Sequence, residues 1–337
     1  MQKSLLKIAI GAVIALGSYT AVSVTAQAQE VRVLKLAHGA TPDQANGKAM
    51  LKFAELVSEK SKGKVKIETH LAGSLYAERT SLEAIVNGAV DLGGASNANW
   101  AAFTNTLMFM DLPYVFEDEN QFRKAMQGKV GDEIRARFER DGFKLLMILD
   151  NGGFRDVVNT KRQIKVPADL KGLKIRTTAS PVEIAMFREW GATPTSIDWA
   201  EVYNALSSGV VDGEFVMPTW LATAKHYEVL KYATENRAVI GVQSIAMRKD
   251  RFEKLSKENQ AIIMQAALEA QDYNNKIDQQ LLIDAKKYAI GLGVQFYKPS
   301  EEEMKIWRET GRKIWKQFDG KIDKKLIQMV LDSQTKN

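Results

Sequence analysis

Between residues 31 and 100 the apolar residues switch repeatedly from the two-residue period of a strand to the 3.6-residue period of a helix, and this alternation constrains the fold most. Residues 31–37 alternate apolar and polar side chains, as a half-buried strand does. Ala49, Phe53, Leu56 and Val57 then fall on one face of a helix predicted over 45–60, which Gly63 ends. A second strand is predicted over 65–69, a helix over 78–87 closed by Gly88, and a third strand over 90–94. A β-α-β-α-β run of this kind packs as a layered α/β lobe around a parallel sheet.

The pattern continues with a crossing segment at 111–116, one charged helix over 120–140, and a strand over 144–149. A second lobe is predicted to follow. It has a strand over 173–176, and then a helix that starts at Pro181 with Ser180 as its cap and stops at Gly191. A short strand over 192–196, a helix over 199–208 capped by Asp198, and a buried strand over 210–213 complete it. Residues 238–247 read as a strand returning to the first lobe. Residues 257–290 contain neither glycine nor proline. They form either one long helix bracing both lobes, capped by Ser256, or two helices joined near Tyr273-Asn274-Asn275. A short strand over 294–296 and a last helix after Ser300 close the chain.

A chain of 337 residues exceeds what one ordinary core can organise, which again points to two lobes. The expected division is a leader over 1–28, a first lobe over 29–150, a second over 151–240, and a crossing strand, spanning helix and C-terminal helices over 241–337. The leader is read from MQKSLLK, the apolar run after it and the Ala26-Gln27-Ala28 cleavage box, a pattern that sends a protein to the periplasm. A membrane anchor is the other reading of that run.

Much chemistry is excluded. There is no cysteine, hence no disulfide, thiol nucleophile or thiolate metal site. His38, His70 and His226 match no metal-binding spacing, and no nucleophile elbow, P-loop or dinucleotide fingerprint occurs. Neither a metal, a cofactor nor a catalytic residue is expected. The net charge of +6 is spread without a basic stripe, so no nucleic-acid partner is expected.

The stretch from Asp150 to Trp220 carries the candidate site. Arg155 follows a Gly-Gly turn after a strand, and Arg176 closes the next strand. Open α/β sheets place their ligand crevice at such strand ends. A guanidinium there presents a rigid fork that matches a carboxylate in two parallel hydrogen bonds. The residues alone equally allow an arginine that pairs with an acid across the lobes. Trp199 is either core or a flat wall for a ligand. Phe215, Val216, Met217 and Trp220 form an apolar cluster that reads first as core.

These segments resemble the solute receptors of tripartite ATP-independent periplasmic (TRAP) transporters, the DctP family. The match runs through nearly all of the chain after the leader. It is most specific at Asp169-Leu170-Lys171-Gly172-Leu173-Lys174-Ile175-Arg176, at Glu201-Val202-Tyr203-Asn204-Ala205-Leu206, and at Val211-Asp212-Gly213. The resemblance implies a periplasmic-binding-protein fold with hinge strands and a lobe-spanning helix, no catalysis, and delivery of an organic acid to membrane permease subunits, a shuttle role that a free monomer suits. It places Arg176 on the family's carboxylate-clamping arginine, Arg155 on a second arginine and Trp199 on a ligand-packing ring. One departure is notable. Val216 stands where many members carry an asparagine that bonds the ligand carboxylate, which implies a less polar pocket. From the first lobe, His38, Tyr76, Glu78, Asn97, Asn99 and Trp100 are the candidates by position. The expected ligand is a monocarboxylate with an aromatic or branched body, a hydroxy or keto acid, with a sugar acid as the alternative. An exported enzyme acting on such an acid, or a sensor subunit presenting it, are the competing functions.

Overall fold

The computed structural model describes residues 31–335; the expected leader lies outside them. In chain order the strands are β1 (Arg32–Ala37), β2 (Val65–His70), β3 (Leu92–Ser96), β4 (Phe143–Phe154), β5 (Asp156–Asn159), β6 (Lys174–Thr177), β7 (Thr193–Ser196), β8 (Gly213–Val216), β9 (Tyr232–Thr234), β10 (Ile240–Arg248) and β11 (Gln295–Tyr297). They form two sheets, ordered β2-β1-β3-β10-β4 and β11-β9-β5-β8-β6-β7. In the first, β1 runs parallel to β2 and β3, and the helices Ala45–Lys60 and Glu78–Asn87 are the crossovers that parallel pairing requires. Gly88, at φ 77°, ends the second of these helices in the left-handed conformation that glycine adopts without strain. β10 then enters antiparallel between β3 and β4. In the second sheet β6 lies parallel to both β7 and β8.

The chain passes between the sheets three times, twice at neighbouring places and once through the helix Lys257–Gly291 that leads to β11. β4 runs into β5 with Arg155 alone between them, and β9 leads through 235–239 into β10. The two crossings are bonded to each other. Arg155 donates its backbone N–H to the Val239 carbonyl at 2.9 Å, and Phe154 pairs with Ile240. Just before this point the backbone turns at Gly152, whose φ is +95°. A β-carbon there would lie 2.0 Å from Thr219 Oγ1, so both conformation and space require glycine.

A single helix, Lys257–Gly291, runs for 35 residues, roughly 50 Å. Ser256 caps it by accepting from the Asn259 N–H. Ile263, Ala266, Ala267 and Ala270 pack into the core of the first sheet, and Ala289 into that of the second. The helix does not break at Tyr273-Asn274-Asn275 because Asn274 is occupied elsewhere. Its side chain donates to the Asp150 carbonyl of β4 at 2.8 Å.

The structure corrects several sequence expectations. The helix expected over 120–140 is two helices, Glu119–Gln127 and Lys129–Arg140, parted at an extended Gly128. The strand expected over 210–213 begins only at Gly213, where a β-carbon would meet the Val158 carbonyl at 2.3 Å; Val210 is exposed. Asp198 makes no side-chain cap, and a 3-10 turn, Trp199–Glu201, precedes the helix Val202–Ser207. The chain ends in two helices, Glu301–Arg312 and Lys324–Thr335.

Candidate functional site

Arg176 lies on β6 with Thr195 of β7 and Glu214 of β8 as its cross-strand partners. Its side chain is buried, with the whole residue 6% exposed. Nε donates to the Ile197 carbonyl at 3.0 Å, and the guanidinium carbon lies 5.7 Å from the centre of the Trp199 ring. Its terminal nitrogens have no hydrogen-bond or ion-pair partner among the described residues. Burial pushes its pKa down, while Glu183 and Glu214 act in the opposite direction. The group is a desolvated fork of donors with no anion in contact.

Trp199 is half-buried and packs edge-on against Trp220 at 4.8 Å. The buried pair His226 Nδ1–Glu214 Oε1, 2.6 Å apart, lies behind it. Together these place a flat aromatic wall beside the arginine. Arg155 reaches the same region from the crossing, but its charge is already answered. Nη1 bonds Glu183 Oε2 at 2.8 Å, and that carboxylate also accepts from the backbone N–H and the hydroxyl of Thr178.

A cleft of about 450 Å³ opens between the two sheets. Gln44, Glu78 and Asn99 line one side, and Arg176, Trp199 and Trp220 the other. A recess of about 40 Å³ continues inward past Asn151, Arg155, Phe215, Val216 and Gln243. Glu78 borders both spaces. Its Oε1 accepts from the Ser96 N–H at 2.5 Å and from Gln243 Nε2 at 3.3 Å. Gln44 Nε2 reaches across the cleft mouth to Thr223 Oγ1 at 2.9 Å. Asn151 Oδ1 accepts from Asn46 and from the Trp220 indole.

Of the residues singled out in the sequence, Arg155, Arg176, Trp199, Val216 and Glu78 converge on these two spaces. His38, Asn97 and Trp100 do not. Residues Asn97–Trp100 form one helical turn, which points Asn97 and Trp100 to the same side, away from the cleft, and leaves Asn99 on the wall. Trp100 is fully buried between Phe138 and Phe143. Asn97 faces Asp111 at 3.5 Å. His38 is buried, accepts the Ala40 N–H on Nδ1, and is pushed down to about 4, mainly by burial. Thr178, Gln44, Asn151, Thr223 and Gln243 were not singled out in the sequence as site residues.

Asp111 joins the back of the site. It accepts from the Ser180 hydroxyl at 2.7 Å, and burial pushes its carboxyl up to about 6, against the influence of Arg155 and Ser180. Among the described residues no group of three or more His, Asp or Glu side chains is placed to hold a metal ion, and no helix is long and apolar enough to cross a membrane.

The model of the family described as bacterial extracellular solute-binding protein, family 7 (DctP) matches residues 36–321. The chain belongs to this family. It is a TRAP-type periplasmic solute-binding protein, of a class that binds solutes without transforming them. The 2,3-diketo-L-gulonate-binding periplasmic protein of Escherichia coli (strain K12) is 34% identical over 244 residues, covering 72% of this chain and 74% of that one. The C4-dicarboxylate-binding periplasmic protein of Rhodobacter capsulatus is 32% identical over 293 residues, covering 86% and 87%. Among solved structures, the sugar acid binding protein of Advenella mimigardefordensis in complex with galactonate superposes with a TM-score of 0.85 at 28% identity, covering 90% of this chain and 98% of that one. A TRAP solute binding protein from Sulfurospirillum deleyianum with bound succinate gives 0.83 at 27% identity, covering 90% and 99%. The two-sheet architecture with its long helix is that of the TRAP solute-binding proteins.

Proposed function

We propose that this receptor holds the carboxylate of a small organic acid on Arg176 and delivers the acid, as a monomer, to the membrane permease subunits of a TRAP transporter. One observation carries the reading. A buried guanidinium with no contacting anion borders a cleft walled by Trp199 and Trp220. A carboxylate can take both terminal nitrogens in a bidentate pair. Arg155 behind it is already paired with Glu183, which leaves Arg176 as the anchor. Phe215 and Val216 offer the recess no side-chain hydrogen bond, which suits a monocarboxylate with an aromatic or branched body, a hydroxy or keto acid. Relatives named for diketogulonate, C4-dicarboxylates and galactonate agree in binding acids and differ in the body that bears the carboxylate.

Contacts from both sheets to one ligand favour the closed arrangement, because each contributes only when the cleft is shut. The test is a thermal-shift screen of carboxylic acids beside their methyl esters. An acid at a hundred times its Kd adds about 2.7 kcal/mol of stability. Esters that stabilise as much as their parent acids would refute the arginine anchor.

A further inference from the structure

Glu78 lines the cleft opposite Arg176, and the described contacts leave one of its oxygens unused. We propose that this carboxylate selects ligands whose far end carries a hydroxyl and rejects those with a second carboxylate there, so that the cleft takes hydroxylated monocarboxylates. The inference rests on Arg176 as the carboxylate anchor.

Glu78 is the first residue of the helix Glu78–Asn87. Its Oε1 is fixed by two donors from different strands, the Ser96 N–H at the end of β3 and Gln243 Nε2 on β10. Held at one oxygen, the carboxylate cannot swing out of the cleft wall. Oε2 makes no hydrogen bond among the described residues, and Glu78 borders both the cleft and the inner recess. It is also one of the charges that Arg176 senses. A ligand anchored at Arg176 therefore lies beside a fixed anion with a free acceptor.

An ionised carboxylate only accepts hydrogen bonds. A ligand hydroxyl gives it the donor it lacks. A second ligand carboxylate gives it repulsion, in a cleft where water no longer screens the pair. Among the described residues no cation on this wall corrects the balance. His38, behind the wall, is neutral at pH 7. Arg155 is committed to Glu183. Arg79 also borders the cleft, but its side chain is 67% exposed and lies toward Glu83. Asp198 and Glu201 add further negative charge to the opposite rim.

The test is calorimetry with galactonate, pantoate and succinate on the native protein and on Glu78→Gln, which keeps an acceptor for Ser96 and removes the charge. The native protein should bind the better of the two hydroxy acids at least tenfold more tightly than succinate. Glu78→Gln should shrink that ratio tenfold or more, with the hydroxy acid losing affinity and succinate gaining it. Glu78→Asp, which keeps the charge but withdraws the oxygen, should weaken the hydroxy acid and still exclude succinate. An unchanged ratio in Glu78→Gln, or native binding of succinate as tight as that of the hydroxy acids, overturns the proposal. If acids bind and depend on Arg176 while the ratio ignores Glu78, only the charge selection fails. If no acid binds the native protein, the anchor fails and takes this inference with it.

Discussion

Replacing Arg176 with methionine should separate the cost of burying a cation from the benefit of using it. The side chain is almost fully buried, and its terminal nitrogens touch no anion among the described residues. Its contacts are one hydrogen bond to the Ile197 carbonyl and the Trp199 ring. Losing these costs about 1–2 kcal/mol. Against that, the protein no longer desolvates a charge, and buried ionic groups exchanged for apolar ones of similar volume often leave proteins about 1–4 kcal/mol more stable. The unliganded variant should therefore lie between about 1 kcal/mol less and about 3 kcal/mol more stable than the native protein. Binding moves the other way. Removing one partner of a desolvated charge pair costs about 2–5 kcal/mol, or roughly thirtyfold to several thousandfold in affinity. Urea unfolding without ligand gives the first number, and calorimetry with galactonate the second. A variant that loses more than about 2 kcal/mol of stability would make Arg176 a structural residue. One that binds within threefold of native would remove it from the ligand.

Two further outcomes concern the crossing and the back of the site. Gly152→Ala should cost about 2–4 kcal/mol in urea unfolding, since it adds backbone strain at φ +95° to a collision with Thr219; Gly172→Ala, at φ +82° with open space around it, should cost only about 1 kcal/mol, and equal costs would refute the packing argument. The Asp111 carboxyl, at about 6, lies above its unfolded value. Its contribution to stability is thus complete below the unfolded pKa and disappears as pH rises through 6. Asp111→Asn should flatten the fall in stability between about pH 4 and 6, by up to about 1.4 kcal/mol per pH unit, and a slope identical to native would show that this carboxyl does not titrate there.

The fold was largely legible because its signals are local. Ser180, Ser256 and Ser300 each cap the helix that the sequence placed after them, and Gly88 ends its helix in the sequence-predicted position. Errors arose where a distant partner decides. Gly128 sits among charged residues whose helical pattern continues on both sides, so the break there has no periodic mark. The expected strand includes Asp212, yet its carboxylate accepts the Lys174 N–H, and the strand starts after it. The site divides in the same way. Arg155, Arg176 and Trp199 stand beside recognisable strand ends and motifs. Gln44, Asn151 and Gln243 reach the cleft only because remote segments meet there, which no spacing encodes. Trp100 was placed by chain position, and a single helical turn sent it into the core.

Because Arg155 and Val239 are hydrogen-bonded neighbours, the two strand crossings between the sheets are edges of one narrow ribbon, and the helix Lys257–Gly291 is the third link. Any movement of the halves therefore has to bend this ribbon and also shift the long helix, whose two ends pack into different cores. Arg155 stands on that ribbon with its guanidinium on Glu183, so the residue that reaches the recess also belongs to the crossing.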